Sequence, residues 1–123
     1  MKVQFSKETT YVPEFNKNRE LSVEEQLSVK IKVMSLLDLL DLTDVLKSAG
    51  FEKGELKDMS VEQMKTIVKE GGKYIGKYCT LAGNDGFDIS DVTGYAAFMP
   101  LATELLFTLL NTSSPSPADV KNS

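Results

Sequence analysis

The hydrophobic pattern of this chain changes period within its first half. From Leu27 to Val33 apolar and polar residues alternate, Leu27, Val29, Ile31 and Val33 against Ser28, Lys30 and Lys32. A period of two predicts a strand with one buried face and one lysine-bearing face, as in a small sheet covered on one side. Before it, "VQFS" from Val3 and the following "TTYVPEF" offer a second strand, ended by Pro13, which has no backbone donor. "EFNKNRELSVEEQ" reads as a polar connection with turn residues at Asn16 and Asn18. Two strands alone are marginal in water, so this ribbon has to pack on helices.

From Leu36 the spacing becomes helical. Ser35 is placed to cap the first turn, and Asp38 puts negative charge at its positive end. Leu36, Leu37, Leu39, Leu40, Leu42, Val45 and Leu46 occupy a wide face, with Asp38, Asp41 and Asp44 as a stripe opposite. Gly50 supplies a left-handed stop, with Phe51 placed to fold back on the last turn. A second helix opens at Ser60, where Ser60 and Gln63 have capping-box spacing and Met59 and Met64 that of a hydrophobic staple. Val61, Met64, Ile67, Val68, Ile75 and Tyr78 then recur at helical intervals. Gly71 and Gly72 interrupt them at a cost of about 2 kcal/mol relative to alanine. A bend, a break or a close helix crossing is expected there.

"TLAGNDGFDISD" forms the main internal loop, and Asp88 or Ser90 should cap a third helix that runs to about Asn111, kinked at Pro100. The remaining "TSSPSPADVKNS" has no periodic apolar face and is expected to be disordered. The fold class is therefore α+β and mainly helical: a short N-terminal β-hairpin or ribbon followed by about three α-helices. Residues 1–111 form one domain, with strands and loop in 1–34 and the helical part in 35–111, and residues 112–123 form the tail.

Charge and composition narrow the chemistry. The net charge of −4 gives no broad attraction to nucleic acid or an anionic membrane. Lys65, Lys69, Lys73 and Lys77 fall four apart and read as a solvated helix face. Cys79 is the one cysteine, which excludes an intrachain disulfide and fits a reducing compartment. The N-terminus lacks the apolar run of a signal peptide. The most apolar stretch, Tyr95 to Leu110, contains Pro100 and Glu104 and falls short of the roughly 20 residues a membrane span needs. A soluble, cytoplasmic protein is expected.

With no histidine, the Ser-His-Asp triad, the Cys-His dyad and histidine zinc sites are excluded, and one cysteine excludes thiolate zinc clusters. Cys79 reads as a small buried hydrophobe at a helix end. Asn84, Asp85, Asp88 and Asp91 suggest calcium, yet aligning Gly86 with the EF-hand glycine puts Leu81, Gly83 and Val92 at ligand positions. "GGKYIGK" resembles a phosphate loop only until Tyr78 stands where Ser or Thr is needed. The aspartate stripe reads as solvent-facing, and Tyr74 with Tyr78 as packing residues. No enzyme chemistry, cofactor or metal is expected.

What remains is an excess of apolar side chains in the last helix, where Tyr95, Phe98, Met99, Leu101, Leu105, Leu106, Phe107, Leu109 and Leu110 cover more than one face. Either this helix is the central one of the bundle or part of it meets another chain. On the second reading Met99, Leu101, Leu105, Leu106, Phe107, Leu109 and Leu110 are the partner-binding candidates.

The order of the N-terminal half, "YVPEFNKNRELSVEEQ" followed by the strand "SVKIK" and leucine-rich helix, resembles the opening of small proteins of tailed bacteriophages. The ending, "ELLFTLLNTSSPSPADVKNS", is similar to that of phage tail assembly chaperones, where a helix finishes in a Ser-rich breaker and a polar tail. The resemblance implies a non-enzymatic role in the host cytoplasm: binding the long tape measure protein and keeping it soluble until tail-tube subunits polymerise around it. A homo-oligomer is expected, with no nucleic-acid or membrane partner. Two other roles fit the same sequence. One is a structural virion subunit, at tail completion or the head–tail connector. The other is a small regulatory protein that meets a host protein through Asp38, Asp41 and Asp44.

Overall fold

The alternation around Ile31 becomes the central strand of a three-stranded antiparallel sheet. The computed structural model describes residues 7–50, 60–82 and 86–113. Strand β1 is Glu8–Tyr11, β2 is Ser28–Lys32 and β3 is Cys79–Ala82, in the order β1-β2-β3. The register sets Val29 between Tyr11 and Leu81, and Ile31 between Thr9 and Cys79. Val29 and Ile31 are fully buried while Lys30 and Lys32 are exposed, so one face is covered and the other is polar. The expected "VQFS" strand lies outside the described residues.

β3 adds a strand to the expected ribbon. Cys79, buried as expected, stands at a helix end but is also the first residue of this strand. Its four residues are too few to show a period, and they become a strand by pairing with β2.

The polar connection between β1 and β2 folds on itself. A 3-10 turn spans Phe15–Glu20, with Asn16 and Lys17 at φ of 52° and 59°. Asn18 is buried within it. Its amide donates to the carbonyls of Pro13 and Leu27, both at 2.9 Å, and accepts from the Leu27 N–H at 2.6 Å. Gln26 donates to the carbonyls of Arg19 and Leu21. A buried polar side chain with three satisfied bonds fixes the loop locally.

Helix α1 is Leu36–Ser48, capped by the Ser35 hydroxyl, which accepts from Asp38 N at 3.2 Å. Gly50 has the left-handed φ of 73° that its stop signal requires. Helix α2, Val61–Thr66, opens with the expected capping box, Ser60 N donating to Gln63 at 2.8 Å and Gln63 N to Ser60 at 3.1 Å. The predicted contributions of Phe51 and Met59 fall outside the described residues.

After α2 the backbone passes through one π-turn, Ile67–Gly71, into helix α3, Gly72–Tyr78. The glycine pair marks a close crossing. A Cβ on Gly71 would stand 2.8 Å from a methyl of Leu106, and one on Gly72 would stand 3.3 Å from Thr93. The glycines therefore let the last helix and the segment before it approach this backbone.

Helix α4, Met99–Ser113, is the central helix. Leu101, Leu105 and Leu109 are fully buried and Leu106 is 1% exposed. Neighbours on several sides, α1, α3 and the Phe15–Glu20 turn among them, account for apolar residues on more than one face. Two expectations about this helix are corrected. Asp88 opens a 3-10 turn at Ile89–Thr93, and a second such turn spans Ala96–Phe98 before α4 begins. Pro100 is then the second residue of α4 and makes no kink, because a missing N–H is harmless in a first turn. The helix also runs past Asn111, and the Ser113 hydroxyl accepts from Met34 N at 2.9 Å. Residues 114–123 of the expected tail lie outside the described residues. The fold is α+β and mainly helical.

Candidate binding surface

The apolar residues of α2, the π-turn and α3 do not all face inward. Ile67 and, beyond the π-turn, Ile75 and Tyr78 are buried, whereas Val61, Met64 and Val68 line an open groove. The opposite wall comes from the chain leading into α4, where Tyr95, Ala96 and Met99 face the same space. Thr93 is held against Gly72, which brings this wall to the helix. Asp88 N donates to the Asp91 carboxylate at 3.0 Å and fixes the turn that carries it. The groove has a volume of about 400 Å³ and a mostly apolar lining. Val61 and Tyr95 are each 64% exposed. Lys65 and Lys69, one turn apart, form its basic rim.

Of the sequence-predicted contact residues, only Met99 lines this groove. Leu101, Leu105, Leu106 and Leu109 belong to the core of this chain, so in this conformation no partner reaches them. Phe107 and Leu110 are half-buried and pack against the same core. The last helix's apolar excess is thus used mainly within the domain. Val61, Met64, Val68 and Tyr95 were legible as apolar residues of helical segments. Their shared groove depends on the π-turn and on the two 3-10 turns, which no period in the sequence announces.

A second apolar surface lies on α1. Leu42 and Leu46 are buried, but Leu36, Leu37 and Leu40 are 71%, 69% and 57% exposed. Asp41 and Asp44 continue this exposed face one turn on. The expected separation of leucines from aspartates is therefore corrected: three leucines share the outer face with two acids. Asp38 departs from the stripe. Its carboxylate accepts from Lys77 Nζ at 2.7 Å and from the Tyr78 hydroxyl. These donors, with Lys77 first, hold its carboxyl below the ordinary value.

Other polar residues serve the fold. The Glu104 carboxylate accepts from the Tyr11 hydroxyl, from Glu14 N at 2.7 Å and from Phe15 N at 3.1 Å, tying the N-terminal loop to α4. Burial pushes the Cys79 thiol up to about 12, which keeps it protonated and unreactive. Gly71, Gly72 and Gly76 lie in helical backbone, so "GGKYIGK" makes no phosphate-cradling loop. Among the described residues no helix is long and apolar enough to cross a membrane. Comparison of the chain with protein-family models, curated proteins and solved structures finds no match in any of the three.

Proposed function

We propose that this chain is a non-enzymatic protein-binding domain that holds an amphipathic helix of a larger partner, and that it acts as a tail assembly chaperone for a tape measure protein in a phage-infected cell. The observation that carries the reading is the open apolar groove between α2 and the start of α4. Its walls of Val61, Met64, Val68, Tyr95 and Met99 suit a helix presenting an apolar stripe. Met64 and Met99, one in each wall, adapt to varied side chains, which a chaperone of a long helical partner needs. The buried bonds of Asn18, with the exposed ones of Gln26, give the resembling stretch "VPEFNKNRELSVEEQ" a scaffold role, so the resemblance concerns the frame that carries the groove.

Co-expression with the tape measure protein tests the proposal. Soluble capture of the long protein, dependent on this chain, is the expected result. An insoluble partner with no complex would refute it. The exposed leucines of α1 favour a second reading, a structural subunit whose neighbours cover that face in the virion. Mass spectrometry of purified particles separates the two, since a chaperone is absent from them and a subunit is present.

A further inference from the structure

We infer that the groove of one subunit accepts the outer face of α1 from a second copy of this chain, so that the protein self-associates through the surface that also receives its client. The groove and the α1 face share no residue, so each subunit presents both halves of the contact. Leu36, Leu37 and Leu40 are the exposed apolar anchors, at the i, i+1 and i+4 positions that make one stripe. Their exposure is what a monomer of this size is expected to avoid.

Charge selects the occupant. Asp41 and Asp44 follow the leucines by one turn, and Lys65 and Lys69 stand one turn apart on the groove's rim. Among the described residues none of these four joins an ion pair, whereas Asp38 is already held by Lys77 and Glu70 by Lys73. An acidic helix seated with its leucines in the groove brings two carboxylates to two ammonium groups. A helix carrying lysines at the same positions is repelled. The two surfaces are different, so the contact is either exchanged reciprocally in a dimer or repeated into a ring.

The same groove serves the function proposed above, and a client helix has to displace the docked α1. Sedimentation velocity over a range of concentrations measures self-association, with circular dichroism confirming that each variant is folded. The double variant Lys65→Glu/Lys69→Glu is expected to weaken association by about tenfold or more, as is Asp41→Lys/Asp44→Lys. Mixing the two variants restores association through the reversed charges. A chain that stays monomeric at every concentration would overturn the inference, as would association that neither swap changes or mixing that fails to restore it. Client capture by a strictly monomeric chain leaves the chaperone reading standing while this one falls. Self-association without client capture does the reverse.

Discussion

At the scale of single residues, the two glycine environments give opposite consequences for one substitution. Gly71 stands against the buried Leu106, while a Cβ on Gly76 meets nothing within 4 Å. Gly76→Ala should therefore stabilise the fold by about 0.5–1 kcal/mol through helix propensity. Gly71→Ala meets overpacking of about 1–3 kcal/mol, which exceeds that gain and leaves a net loss. Urea denaturation of both variants measures the contrast. Cys79, held protonated with a pKa of about 12, should resist a thiol reagent at pH 8 and react once the chain is unfolded. Asp38 has a folded pKa below its ordinary 3.8, so the stability from Lys77 and Tyr78 is fully present above that value. It is lost as pH falls through the depressed one. The melting temperature of Asp38→Asn should accordingly lie below that of the parent near neutrality, and the gap should close only in strong acid.

At the scale of elements, α1 shows what periodicity can and cannot say. Seven apolar residues within eleven positions announced a helix, and Ser35 and Gly50 marked its start and stop. The division they suggested, leucines on one side and aspartates on the other, was too coarse, because so many leucines leave almost every face apolar. Burial decides it: Leu42 is fully buried and Leu40 is 57% exposed. Leu42→Ala should cost about 2–5 kcal/mol, and Leu40→Ala, measured at a concentration too low for self-association, should stay within about 0.5 kcal/mol. Thermal or urea unfolding distinguishes them. β2 was legible from its alternation and α2 from its capping box, since both signals are local. β3 and the late start of α4 were not. A four-residue strand and a proline in a first turn are specified by their neighbours in space rather than by their own period.

At the scale of the whole molecule, the sequence left the most apolar segment, the last helix, open to two uses, the centre of the bundle or a contact with another chain. The fold takes that helix as its centre and leaves a different apolar surface at the edge of α2. A small domain has few helices, so the most hydrophobic one is consumed by the core. The surface left for a partner comes from residues at helix ends and in turns, such as Val61 and Tyr95. Capture of the tape measure protein by Val61→Asp/Tyr95→Asp, compared with the parent chain in the same co-expression pull-down, tests the groove most directly. Both side chains are exposed, and aspartate suits the first turn of α2, so the variant should fold as the parent does. The account predicts that the parent holds the long protein in solution and the variant does not. Equal capture by the two would contradict it.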